Sequence, residues 1–264
     1  MTNKEFVAKA LDICKNYKTL YVYGCWGAPM STQLGPKQGK YRYSENNYYN
    51  RREPQHSQIL NASEDTFGFD CVCLIKGIVW GWSGQLDRIY GGAGYNCNGL
   101  GDYNANGIIV RACYDVSTDF SKIVPGEIVW MDGHVGIYVG DGKVVEATDR
   151  WEEKVLMSYC LNVVKNVSDY HRRTWTKHAK LICIDYVTEE TPVTVEPVKE
   201  EPKKEEIPAD VYYKVQKGDN LTKIANMYNT TPDKIVELNK ERLTRISRDF
   251  ICTGWKLLIR EGEK

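Results

Sequence analysis

Residues 188–210 constrain the fold more than any other stretch, because nothing in them can build a core. The run Thr188-Glu-Glu-Thr-Pro-Val-Thr-Val-Glu-Pro-Val-Lys-Glu-Glu-Pro-Lys-Lys-Glu-Glu-Ile-Pro-Ala-Asp210 holds four prolines, eight acids and three lysines, without an aromatic residue. So little apolar area cannot offset the entropy of ordering the chain, and proline at near-regular spacing favours an extended, semi-rigid spacer. The 264-residue chain therefore divides into a domain over 1–187, a linker over 188–210 and a small domain over 211–264. The three parts carry net charges of +1, −5 and +4. The chain as a whole is neutral, so no global field favours nucleic acid or an anionic membrane.

The apolar residues are scattered, and no run is long enough to span a bilayer. Charged residues recur every few positions from Met1 to Ala10, which excludes the apolar core of a secretory leader within that stretch. Nine cysteines fall at 14, 25, 71, 73, 97, 113, 160, 183 and 252, an odd set without the rhythm of a disulfide scaffold. Most read as buried thiols. The closest pair, Cys71 and Cys73, lacks the spacing of a structural zinc site, so neither a metal nor a cofactor is expected.

In the first domain Phe6, Val7, Ala10, Leu11 and Cys14 fall on one helical face behind a Thr2 or Asn3 cap. Residues 27–66 are polar and rich in Tyr, Asn, Gln and Arg, with a helical hint at 53–62, and read as a long surface excursion walling a substrate groove. At Phe67-Gly-Phe-Asp-Cys71-Val-Cys-Leu-Ile-Lys-Gly-Ile-Val-Trp80 a turn runs into an apolar helix with Asp70 as cap. Cys71 thus occupies the first helical turn, where unpaired N–H groups and the helix dipole favour a nucleophilic thiolate. Cys73 faces elsewhere and reads as core.

Pro125-Gly, Asp132-Gly and Gly140-Asp-Gly142 punctuate three short β-branched runs, the pattern of an antiparallel meander. His134 opens the second strand and Glu146 lies in the third, whereas His56, His171 and His178 sit in polar stretches. A thiol nucleophile needs an imidazole beside it and a third group to orient that imidazole. His134 and Glu146 share a sheet face only if pairing residue numbers sum to an even value. An odd loop such as 140–142, with Val139 opposite Lys143, meets that condition.

Phe69-Asp-Cys-Val-Cys-Leu74, Pro125-Gly-Glu-Ile-Val-Trp130 and Gly133-His-Val-Gly-Ile-Tyr-Val-Gly-Asp-Gly-Lys-Val-Val-Glu-Ala147 together resemble the NlpC-type (NlpC/p-sixty) cell-wall cysteine peptidases. The resemblance implies an α+β, papain-like domain with N-terminal helices and a central antiparallel sheet. It assigns nucleophile, base and orienting residue to Cys71, His134 and Glu146. Tyr21, in Tyr21-Val-Tyr-Gly24, matches the family's tyrosine beside the nucleophile, and Asp70 and Val72 flank it as substrate-binding positions. Val72 stands where the family has serine, Cys25 replaces a glycine, and about forty residues are inserted before the nucleophile.

After the linker, a strand precedes Gly218-Asp219, a helix capped by Asp219 carries Leu221, Ile224, Ala225 and Tyr228, and Thr231-Pro232 opens a second helix with Ile235, Val236 and Leu238. A closing strand spans Gly254–Ile259. This βααβ order, with Gly-Asp-Asn-Leu221 and Thr231-Pro-Asp-Lys-Ile-Val-Glu-Leu-Asn239, resembles LysM modules, which bind N-acetylglucosamine-containing glycans. The resemblance points to Gly218, Asp219, Asn220 and Ile251 as sugar contacts.

Together the two resemblances imply a monomeric peptidoglycan hydrolase that cuts an amide of the stem peptide or cross-bridge. An N-acetylmuramoyl-L-alanine amidase with the same triad and a noncatalytic wall-binding protein are the alternatives. Without an evident leader, such a protein is expected to be made in the cytoplasm and to reach the wall by phage-type release or as a virion component.

Overall fold

The computed structural model describes residues 1–187 and, further on, 210–216, 219–228, 230–241, 243, 246–248, 251 and 254–260. The chain forms two compact units, Met1–Asp185 and Tyr186–Lys264. The linker expected over 188–210 lies, apart from Asp210, outside the described residues. No helix among the described residues is long and apolar enough to cross a membrane.

The first unit opens with α1 (Asn3–Asn16), whose Thr2 cap and Glu5 form a reciprocal capping box. Its buried face is Phe6, Ala10 and Ile13, at i, i+4 and i+7. Ile13 is the inward residue that the sequence reading passed over, and Val7, Leu11 and Cys14 are only half-buried. Strands β1 (Thr19–Tyr21) and β2 (Trp26–Pro29) follow, then α2 (Gly39–Glu45), α3 (Gln55–Asn61) and β3 (Phe67–Phe69). β3 lies between β1 and β2 in a small sheet, parallel to β1 and antiparallel to β2.

Residues 27–66 are not the bare surface excursion expected from their polarity. Met30, Tyr43 and Ile59 are buried and pack with Val22, Cys25 and Ala28 in a local core. Ala28, Met30, Tyr43 and Ile59 turn inward, which average polarity conceals, whereas Tyr41, Tyr48 and Tyr49 stay exposed.

Next come α4 (Cys71–Val79), every residue of which is buried, α5 (Ala105–Arg111) and β4 (Cys113–Ser117). The meander is β5 (Ile128–Met131), β6 (His134–Gly140) and β7 (Lys143–Thr148), continued by β8 (Lys154–Cys160), β9 (Arg172–Arg173) and β10 (Lys177–Leu181). The seven-stranded sheet runs β4-β10-β5-β6-β7-β8-β9, antiparallel except at the β8–β9 edge. Helices α1 and α4 both pack on β6 and β7, which buries the apolar face of the sheet. The fold is α+β, with N-terminal helices on a central antiparallel sheet.

The β6–β7 hairpin meets the parity condition by another route than the odd loop. Ile137 pairs with Val145 and Tyr138 with Val144, both even sums, but Gly140 then pairs with Lys143. The loop is only Asp141-Gly142, with φ of 50° and 68°, the mirror-image turn that suits the twist of a hairpin. A bulge between Tyr138 and Gly140 absorbs the odd residue. His134 and Glu146 consequently share one face.

The second unit contains β11 (Val211–Lys214), α6 (Leu221–Met227), α7 (Pro232–Asn239) and β12 (Lys256–Arg260), with the two strands antiparallel. Leu221, Ile224, Ala225, Ile235, Leu257 and Ile259 are buried between them. Tyr228 is 37% exposed, whereas Asn239, a turn after Ile235, is fully buried. Asn239 donates to the Ile235 and Leu258 carbonyls at 2.8 and 2.7 Å and accepts from Leu258 N–H at 2.9 Å, stitching α7 to β12.

Candidate active site

The chain leaves buried β3, turns at Asp70 and enters α4. Asp70 Oδ1 accepts from Cys73 N–H and Oδ2 from Gly24 N–H, both at 2.7 Å. One carboxylate thus caps the helix and pins the Tyr21–Gly24 segment against it. Cys71 lies at the head of α4 with 7% exposure, at the wall of a cavity of about 390 Å³. Tyr21, Tyr23, Asp70 and Val72 share that wall with Gly24, Trp26, Cys73, Lys76, residues 102–106 and Gly133. None of the lining residues comes from 27–66, so the insert does not wall this cavity as the sequence suggested.

The backbone N–H of Val135, the residue after His134, is directed at the Cys71 sulfur. His134 stacks on Trp175 with ring centres 5.5 Å apart and planes 12° apart. Its Nε2 is 2.6 Å from Glu146 Oε2. With Nε2 engaged by the carboxylate, Nδ1 is the ring nitrogen left to exchange a proton.

Glu146 is fully buried yet has several partners. Besides His134 it accepts from Ser158 Oγ and from Arg173, whose Nη2 and Nε lie 2.9 and 3.1 Å from Oε2. Burial pushes this carboxyl up, but His134, Arg173 and Ser158 together outweigh it and hold Glu146 below the ordinary carboxylate range. Arg173 is itself positioned over the Trp151 and Trp175 rings at 5.1 and 5.5 Å.

Arg173→Ala is expected to cost the N-terminal unit about 3–5 kcal/mol of unfolding free energy, because it strands a buried carboxylate. A depressed folded pKa stabilises above the unfolded value and ceases to do so as pH falls through the folded one. The variant raises that folded value and so starts to unfold in acid at a higher pH. Urea unfolding by tryptophan emission at neutral pH and at about pH 3 reads this, and equal differences at both would count against the argument.

The cysteine itself departs from expectation. Burial, followed by the neighbouring Asp70 carboxylate, pushes the Cys71 thiol up to about 12, against the opposing N–H groups of Val135, Val72 and Cys71 itself. The resting sulfur is a thiol rather than the thiolate inferred from the helix dipole. Desolvation outweighs the dipole here, and the acid that caps the helix adds negative charge beside the sulfur. Cys73, also buried, is pushed well above the ordinary thiol range, by burial and then by the Asp70 carboxylate.

Sequence reasoning missed Arg173, Ser158 and Trp175. Ser158 had a signal: Leu156, Ser158 and Cys160 alternate inward along β8, and a hydroxyl in such a row requires a partner. Arg173, in a two-residue edge strand, had none. His178, assigned to a polar stretch, is buried, with Nδ1 against the Glu127 carboxylate and Nε2 2.9 Å from the Asp119 carbonyl. His178 and Ala179 are both buried in that strand, which the half-buried Lys177 and Lys180 on either side obscure. Burial pushes the Glu127 carboxyl up, against the pull of His178. Among the described residues no group of His, Cys, Asp and Glu could hold a metal ion.

In the second unit Gly218 lies outside the described residues. Asp219 is not the helix cap. Its carboxylate accepts from Tyr213 Oη at 2.6 Å, Gln216 N–H at 2.8 Å and Lys223 Nζ at 2.9 Å, which together lower it to about 2. Asn220 caps α6 instead, its Oδ1 accepting from Lys223 N–H at 2.8 Å, because the helix begins at Leu221. Both side chains shape the turn, and Ile251 is half-buried.

No curated protein matches the chain. Two solved structures resemble it over 70% of its length. One is the P60 domain of an antigen from M. avium subspecies paratuberculosis, at 15% identity, with 98% of that chain covered and a TM-score of 0.34. The other is the peptidoglycan hydrolase RipB from Mycobacterium tuberculosis, at 16% identity, with 67% of that chain covered and a TM-score of 0.33. Residues 213–260, which hold the β11-α6-α7-β12 unit, match the LysM domain family, and the C-terminal unit is therefore a LysM domain.

Proposed function

We propose that the N-terminal unit is a thiol amidohydrolase that cleaves a peptide bond in the stem peptide or cross-bridge of peptidoglycan, held at the wall by the LysM domain. The observation that carries this reading is the placement of Cys71 beside the strand end whose His134 is tied to a buried acid. The Cys71 thiol faces the segment that presents His134, and His134 is locked by Glu146, which Arg173 and Ser158 hold in turn.

The reaction follows from those contacts. As the sulfur attacks the scissile carbonyl, its proton passes to His134 Nδ1 and the S–C bond forms. Glu146 stabilises the imidazolium through Nε2, and backbone N–H groups around Cys71 face the developing oxyanion. His134 then returns the proton to the leaving amine as the C–N bond breaks. Water, deprotonated by the same ring, hydrolyses the thioester and restores the thiol. Because burial keeps Cys71 protonated at rest, proton transfer accompanies attack instead of preceding it. Tyr21, Asp70 and Val72 border the cavity where the peptide would lie.

Mass spectrometry of material released from purified peptidoglycan tests this reading. New amino and carboxyl termini inside the peptide are expected. Free lactyl groups with whole stem peptides would reassign the bond to an amidase, and no release would leave a wall-binding protein.

A further inference from the structure

One surface beside the cavity has no role in that chemistry. Tyr23, Tyr48 and Tyr49 are 44%, 62% and 58% exposed, although each could bury a large ring. They are not scattered. The Tyr23 and Tyr49 rings lie 4.7 Å apart, and Tyr48 meets Tyr49 edge-on at 5.8 Å. Exposed apolar rings gathered in one patch mark a binding surface more often than singly scattered ones do.

The patch is held rigid from below. Asn50, fully buried, accepts from Tyr23 N–H at 3.0 Å and donates to the Tyr23 carbonyl at 2.9 Å. Asn47 donates to the same carbonyl at 3.1 Å and accepts from Asn50 N–H at 3.0 Å. The Arg52 guanidinium sits over the Tyr48 ring at 5.2 Å. Two asparagines of the insert thus fasten the tyrosine pair to the Tyr21–Gly24 segment, whose other side lines the cavity through Tyr21 and Tyr23. A surface ordered before binding loses little entropy on contact.

We infer that Tyr23, Tyr48 and Tyr49 form a platform for the amino-sugar backbone of the wall polymer, running outward from the cavity that takes its peptide. The inference rests on the proposed reading of the cavity. In that polymer the stem peptide is covalently attached to the glycan, so a surface continuous with the peptide cavity lies where a strand whose stem peptide occupies that cavity can reach it. Pyranose rings suit it chemically: their C–H faces stack on the electron-rich faces of aromatic rings, a contact that an open surface can make without a pocket. The Tyr hydroxyls supply hydrogen-bond partners for sugar hydroxyl and N-acetyl groups. The insert that carries Tyr48 and Tyr49 then extends the substrate groove without lining the catalytic cavity.

The test is calorimetric titration of the full chain with peptide-free glycan strands of alternating N-acetylglucosamine and N-acetylmuramic acid. Tyr48→Ala/Tyr49→Ala is expected to lose one binding event per chain relative to wild type, whatever the LysM domain contributes. Tyr48→Phe/Tyr49→Phe keeps the stacking faces and is expected to retain that event. Activity on whole wall, relative to free stem peptide, is expected to fall about tenfold in the alanine variant, corresponding to about 1.4 kcal/mol. Unchanged stoichiometry would overturn the platform, as would a change of oligomeric state in its place, which would assign the rings to contact between copies of this chain. Binding is read without catalysis, so a wild type that hydrolyses nothing would refute the proposed activity and still leave the platform decided by stoichiometry.

Discussion

Cys71→Ala is expected to lower peptide release from purified wall on the order of 10⁴-fold or more, because it removes the atom that forms the acyl bond. The change deletes one sulfur from a buried position and should cost the fold about 1 kcal/mol, so the variant remains folded. Loss of activity with an intact melting transition therefore reports chemistry. Alkylation adds a second readout. With the thiol raised to about 12, carbamidomethylation of Cys71 should climb roughly tenfold per pH unit from neutral to alkaline conditions. Peptide mapping separates Cys71 from Cys73. A rate that is already level at neutral pH would show a resting thiolate, and the proton would then leave sulfur before attack.

Glu146→Ala is the second large effect, with an expected fall in kcat on the order of 10³–10⁴-fold. It removes both the acceptor that orients His134 Nε2 and the charge that stabilises the imidazolium, and it leaves the Arg173 cation buried without its partner. Glu146→Gln separates those roles. Arg173 and His134 both address Oε2, so the amide oxygen takes that place and its NH₂ turns toward Ser158. The ring orientation survives while the charge is lost, and the expected fall is only about 10- to 10²-fold. Equal losses in the two variants would mean that charge, and not orientation, is the whole contribution of Glu146.

The legible parts of this molecule were those written in local chemistry. Asp70 before an apolar run announced the helix that presents Cys71, and Thr231-Pro232 announced α7, because caps act within three residues. Glycine-punctuated β-branched runs announced β5, β6 and β7. Even the shared face of His134 and Glu146 could be posed as a parity condition, although the bulge that meets it lay beyond local reasoning. The cap of α6 was misplaced by one residue, since Asp219 and Asn220 are both competent caps, and the bonds that Asp219 takes from Tyr213, Gln216 and Lys223 leave the cap to Asn220.

By itself, then, the sequence determined where α4, α7 and the β5–β7 meander start, which cysteine heads a helix and which histidine opens a strand. The tertiary structure alone decided how those groups are charged and what holds them. Arg173 reaches Glu146 from 27 residues away along the chain, and Asn50 holds Tyr23 from the same separation. The protonation of Cys71 depends on burial by neighbours from several elements. Periodicity and capping are local and survive in a string of letters, whereas desolvation and ion pairing depend on what folding brings within a few ångströms.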